Sequence, residues 1–162
     1  LRKGELLALH WSDVDLKKQT ITISHGMVHG LDYAYKRDTP KNASSADTLK
    51  LDTETVRMLS DYKKYANNII LFPNTRGGYI SPSKVTQKLN KYLKLAELPH
   101  IRVHDLRHTT ASLLVSSGAT IKQVQERKRH SDIKTTMNIY THLTQDSESE
   151  MVDNFIRYVE SR

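Results

Sequence analysis

The sequence predicts a mainly α fold with a small antiparallel β-sheet, an α+β arrangement in one domain over residues 1–162. Three observations predict it. A run of alternating apolar and polar residues lies near the N-terminus, at 19–24. From Asp52 onward the apolar residues recur at helical spacing. The helical stretches are punctuated by capping residues, prolines and glycines. The length, 162 residues and 18.6 kDa, suits one ordinary domain.

Residues 1–9 read as a helix already under way, with Leu6, Leu7 and Leu9 apolar. There is no start Met and no cap, as expected of a piece cut from a longer protein. Residues 19–24 alternate Ile21 and Ile23 with polar neighbours and predict a strand. Residues 34–39 and 47–51 predict two more short strands. The polar stretch 40–46 between them predicts a hairpin with a long connection. Val56, Leu59, Tyr62 and Ala66 then share one helix face, and 74–78 reads as a turn.

Ser81-Pro82 reads as an N-cap followed by proline at the first helical position. The helix after it is expected to turn Val85, Leu89, Tyr92, Leu93 and Ala96 inward. Its other face carries Lys84, Lys88, Lys91 and Lys94, a stripe able to follow a phosphate backbone. A helix is expected from about His104 to Ser117, ended by Gly118. Thr120 with Gln123 forms a capping box for the next. Further short helices are expected at 132–140 and on the stripe Met151, Val152, Phe155, Ile156 and Val159.

Composition narrows the function. There is no cysteine, which excludes a disulfide scaffold, cysteine-ligated zinc, an iron–sulfur site and a thiol nucleophile. The longest apolar runs, such as 69–72, span four residues, so no helix crosses a membrane. Neither G-x-G-x-x-G nor G-x-x-x-x-G-K-[ST] occurs. The net charge is +7, but residues 145–162 carry −3, leaving +10 on the other 144. A basic body with an acidic tail suits a polyanion partner.

The run His104-Asp-Leu-Arg107-His108 is the most pointed. At i and i+3 on a helix, His104 and Arg107 share a face, with Leu106, Leu113 and Leu114 expected to point into a core. An imidazole moves protons near neutral pH, and a guanidinium fork grips phosphate. His104-Asp-x-x-His108 also has the spacing of a zinc-binding H-E-x-x-H helix. Aspartate is one methylene shorter than glutamate, and the third ligand would have to be recruited from His100 or His130. Further along, Tyr140 follows a polar stretch that begins at His130. Tyrosine becomes a nucleophile only where cations favour its phenolate. Arg2 and Glu5 stand at i and i+3 on the first helix, and Lys41 follows Pro40 in the hairpin connection.

Taken together and in this order, these elements resemble the tyrosine recombinase or phage integrase family over nearly the whole chain. The segment Leu-Arg2-Lys-Gly-Glu5-Leu-Leu-Ala-Leu-His-Trp resembles the one that carries the family's first arginine. Thr39-Pro-Lys41 resembles its hairpin lysine. His104-Asp-Leu-Arg107 matches H-x-x-R, and His130 with Tyr140 matches H-x9-Y. The resemblance implies that Tyr140 attacks a DNA phosphodiester and forms a 3′-phosphotyrosyl bond. Arg2 and Arg107 would clamp the phosphate, with His104 and His130 bonding to it or moving a proton. Lys41 would protonate the departing 5′ oxygen, and Glu5 would orient the neighbouring cations. Lys84, Lys88, Lys91 and Arg129 are candidates for the DNA backbone.

The resemblance implies no metal and no cofactor, because one phosphodiester is exchanged for another through the tyrosine. The partners implied are double-stranded DNA attachment sites and other protomers, in a tetramer that exchanges C-terminal helices. The setting implied is the cytoplasm of a bacterial host carrying a prophage or mobile element. The family places a DNA-binding domain ahead of the catalytic one, so this chain alone is expected to bind weakly and recombine poorly. A catalytically silent DNA-binding module of the same fold is the alternative.

One departure from the pattern is local. The family has Leu-Gly before its second histidine, where this chain has Lys128-Arg129. Lys128 falls on the apolar face with Ile121 and Val124, so its stem is expected to line the core and its charge to reach water. Arg129 falls at the helix end, where glycine accommodates a positive φ.

Overall fold

The computed structural model describes residues 1–30, 35–38, 47–129 and 156. The chain divides into two compact units, residues 1–104 and 105–162.

The first unit opens with α1 (Lys3–Leu7). This helix has a cap where the sequence alone suggested none: the Arg2 backbone N–H donates to Glu5 Oε2 at 2.7 Å. A single 3₁₀ turn, Trp11–Asp13, leads into β1 (Val14–Asp15) and β2 (Thr20–Ile23). Then come β3 (Gly26–His29), β4 (Tyr35–Asp38) and β5 (Asp47–Lys50). All pairings are antiparallel, in two small sheets ordered β1-β2-β5 and β3-β4.

The expected strands at 34–39 and 47–51 exist, but they do not form a hairpin with each other. β5 pairs with β2, with Ile21 opposite Leu49, and β4 pairs with β3, a strand the sequence did not announce. The reason is burial. Ile21 and Ile23 are buried, and β5 covers that strand, whereas β3 and β4 contain no fully buried residue and so lack a strong apolar signal.

The core of this unit is Leu9, Val14, Ile21 and Leu71, ringed by half-buried Leu6, Trp11, Leu16, Leu49, Leu51, Leu59 and Phe72. α2 (Thr53–Lys63) starts at Asp52, whose carboxylate accepts from the Thr55 N–H at 2.8 Å. The 74–78 turn is organised by Asn74, whose Oδ1 accepts from the N–H groups of Arg76 and Gly78. α3 (Pro82–Leu95) has Ser81 as its N-cap and proline in its first turn, as expected. Val85, Leu89 and Leu93 are half-buried. Tyr92 and Ala96, expected to face inward, are exposed, because the buried face of this helix is narrower than the sequence stripe.

α4 (Val103–Ser116) begins in the last two residues of the first unit and continues into the second. Gly118 has φ +87, the left-handed conformation that ends a helix cheaply only at glycine. α5 (Ile121–Lys128) follows, capped by Thr120, whose hydroxyl accepts from Gln123 N–H while the Gln123 side chain accepts from Thr120 N–H at 2.8 Å. The buried residues on these two helices are Arg107, Ala111, Val124 and Lys128. Leu106 and Leu113, expected in a core, are exposed, because Arg107 and Ala111 occupy the buried face of α4. The expected helix at 132–140 lies outside the described residues. So does the C-terminal stripe, except Ile156, which is helical and exposed.

Candidate active site

Arg2 and Glu5 meet at the head of α1. Arg2 Nη1 donates to Glu5 Oε1 at 2.9 Å, while the other carboxylate oxygen holds the Arg2 backbone N–H. The Glu5 side chain is only 10% exposed and that of Arg2 52%, so a buried carboxylate anchors a guanidinium that still reaches solvent. Through these two hydrogen bonds the Glu5 carboxylate holds both the backbone and the side chain of Arg2.

His104 and Arg107 stand one turn apart on α4 in unlike surroundings. His104 is exposed and Arg107 is buried. Arg107 Nη2 donates to the Lys128 carbonyl oxygen at the end of α5, which ties the two helices together and fixes one arm of the guanidinium fork. His108 is half-buried. Among the described residues, no group of three or more His, Asp or Glu side chains comes together as a metal would require.

Lys128 departs from expectation. Its charge does not reach water: the residue is 4% exposed, and among the described residues its Nζ meets no hydrogen-bond partner. Burial, reinforced by the neighbouring Arg107 cation, pulls its pKa down to about 8. Arg129 adopts the left-handed conformation that glycine accommodates, with φ 55 and ψ 46. Lys84, Lys88, Lys91 and Lys94 are all exposed along α3. Lys41, His130 and Tyr140 lie outside the described residues.

One polar cluster in the first unit has no signal in the spacing of the chain. Arg37 on β4 pairs with Asp13 at 2.9 Å and reaches His25 at 2.7 Å. His10 Nε2 lies 2.8 Å from the Tyr79 hydroxyl, with the rings stacked. Burial and the Arg37 cation hold the His10 pKa below its usual value, and burial raises that of Tyr79. These residues come from separate strands and turns, so no spacing along the chain reveals them.

The fold is that of the tyrosine recombinase catalytic domains. The integrase of transposon Tn1549, solved with a circular intermediate DNA, superposes with a TM-score of 0.81 at 26% identity, over 95% of this chain and 54% of that one. The XerA recombinase superposes at 0.73 and 26% identity, over 95% and 51%. The model of the phage integrase family matches residues 1–147, and this chain belongs to that family. Among curated relatives, the ICEBs1 integrase of Bacillus subtilis is 30% identical over 94% of this chain and 44% of its own length. The tyrosine recombinase XerC of Bacillus licheniformis is 33% identical over 90% and 46%. The chain thus spans about half the length of the curated relatives it matches.

Proposed function

We propose that residues 1–162 form the catalytic domain of a site-specific recombinase that cuts and rejoins DNA through a 3′-phosphotyrosyl intermediate. The Tyr140 oxygen attacks phosphorus, a P–O bond to the tyrosine forms, and the bond to the 5′ oxygen breaks. The phenol proton passes to His104, and the Lys41 ammonium gives a proton to the departing oxygen. Arg2 and Arg107, with His130, stabilise the charge that builds on the non-bridging oxygens. The incoming 5′-hydroxyl of another strand reverses these steps, so no nucleotide cofactor is consumed. The partners are duplex attachment sites and three further protomers, and the setting is the cytoplasm of a bacterial host.

The observation that carries this reading is the ordered set Arg2, His104-x-x-Arg107 and His130-x9-Tyr140 in a chain of this family. A second reading, a catalytically silent DNA-binding module, draws on the enclosed Lys128 and left-handed Arg129 directly before His130. A nicked suicide duplex separates the two. The full-length protein is expected to give an adduct that survives denaturant, and Tyr140→Phe to give none, because phenylalanine has no oxygen to attack phosphorus. Adduct from the Phe variant would put the nucleophile elsewhere. Binding without adduct from the parent would favour the silent module.

A further inference from the structure

The β3–β4 sheet poses a physical problem. It has two strands of four residues, and a lone two-stranded hairpin is marginal in water. Neither strand contains a fully buried residue, so apolar burial does not specify its register. A slip of one residue would turn each side chain to the opposite face and move the end of β4 by roughly 3.3 Å. Something other than a hydrophobic core must fix its position.

The polar cluster supplies that restraint. Arg37, at the third position of β4, has a side chain only 13% exposed, and its partner Asp13 is 10% exposed. Asp13 is itself held: its Oδ2 accepts the His10 N–H at 2.8 Å across the 3₁₀ turn, while Oδ1 accepts from Arg37 Nη2 at 2.9 Å. The same Arg37 nitrogen lies 2.7 Å from His25 Nδ1. Arginine only donates, so His25 accepts this bond through Nδ1. On the other side, α1 lies against β3, where a Cβ at Gly4 would meet Met27 at 3.7 Å. Ser81 Oγ, the cap of α3, donates to the Tyr35 hydroxyl at 3.4 Å. Of these ties the Arg37–Asp13 pair is the enclosed and charged one. A one-residue slip would carry Arg37 to the exposed face of β4 and leave the enclosed Asp13 carboxylate without its cation, and buried ionic groups are best attested in this registry role.

β4 ends at Asp38, three residues before Lys41 in the chain. We propose that Arg37 is a positioning residue for strand cleavage: its pair with Asp13 sets the register of β4 and thereby where the chain carrying Lys41 departs. The proposal rests on the reading of Lys41 as the proton donor to the leaving 5′ oxygen.

The test compares ordinary DNA with a duplex whose leaving 5′ oxygen is sulfur, a thiolate that departs without a proton. The assay is suicide cleavage by the full-length protein. Lys41→Ala, the control, is expected to be slow on the oxygen substrate and restored on sulfur. Arg37→Gln is expected to slow the oxygen substrate by about 10-fold or more, because general-acid help is worth roughly 10²–10⁴, and to cut the sulfur substrate within about 3-fold of the parent. Adduct formation on sulfur also certifies that the variant is folded. Asp13→Asn, which keeps an acceptor for the His10 N–H and loses the charge, is expected to repeat the pattern and carries the test if Arg37→Gln does not fold. Equal slowing of both substrates, or no slowing of either, in a folded variant would overturn the proposal. A Lys41→Ala variant not restored by sulfur would instead overturn the reading of Lys41, an outcome the control reports separately.

Discussion

Residues 1–104 and residues 105–129 both enclose cations, and their surroundings differ. In the first unit Arg37 meets Asp13 and the imidazole of His25, beside an apolar core of Leu9, Val14, Ile21 and Leu71. In the second, Arg107 and Lys128 are buried on neighbouring helices, and the Lys128 Nζ meets no hydrogen-bond partner among the described residues. A matched buried pair adds little net stability but is costly to break, whereas an unmatched buried cation is a standing cost that its removal relieves. The first unit spends its buried charge on a defined strand position. The second holds a lysine where an apolar side chain would pack.

The contrast is broken most severely by cutting into the first core. Leu71 is 1% exposed, and Leu71→Ala is expected to cost about 3 kcal/mol, through lost burial and the cavity left behind. At this chain length that lowers the melting temperature by roughly 10 °C, read by calorimetry or circular dichroism. A loss below about 1 kcal/mol would mean that this core is loosely packed.

The opposite sign is expected in the second unit. Lys128→Leu combined with Arg129→Gly replaces an enclosed cation with an apolar side chain and removes a Cβ from a left-handed position. We expect a gain of about 2 kcal/mol, several degrees in melting temperature. The gain depends on pH in a defined direction. The folded Lys128 pKa is about 8, below the 10.5 of the free side chain, so the unfolded chain holds the extra proton between those values. The penalty is therefore complete below pH 8 and fades as pH rises toward 10. The melting-temperature gap between variant and parent should shrink over that interval. A gap constant with pH would show that Lys128 does not titrate in this window.

The smallest change sharpens the comparison locally. Thr120→Ala removes the hydroxyl that caps α5, at a cost of about 1 kcal/mol. Its effect should appear as faster amide exchange on α5, with β2 and its neighbours unchanged. Equal acceleration in both units would show that they unfold together.

Much of the local structure was legible because it depends on residues within one turn of each other. The Thr120–Gln123 box, the Ser81 cap, the Gly118 stop and the left-handed Arg129 each rest on backbone geometry that neighbouring side chains dictate. So did the Arg2–Glu5 pairing, because i and i+3 on a helix are adjacent whatever the rest of the chain does. Which strand pairs with which was not legible. Neither β3 (Gly-Met-Val-His) nor β4 (Tyr-Lys-Arg-Asp) alternates apolar with polar residues, and their partnership is settled by contacts with α1 and Asp13. The faces of α4 were misread for a related reason. Leucine at helical spacing normally marks the core, but the hydrogen bond from Arg107 to the end of α5 rotates Arg107 and Ala111 inward and leaves Leu106 and Leu113 outside.

The sequence by itself determined the family, the order of its candidate chemical groups, the caps of α3 and α5 and the basic stripe of α3. Each of these is written in residue identity or in spacings of three or four. Only the tertiary structure decided that Arg37 answers Asp13 and that Lys128 is enclosed rather than solvated. Both depend on how closely distant segments approach, and the free energy of a buried charge is set by that distance and by the water it excludes.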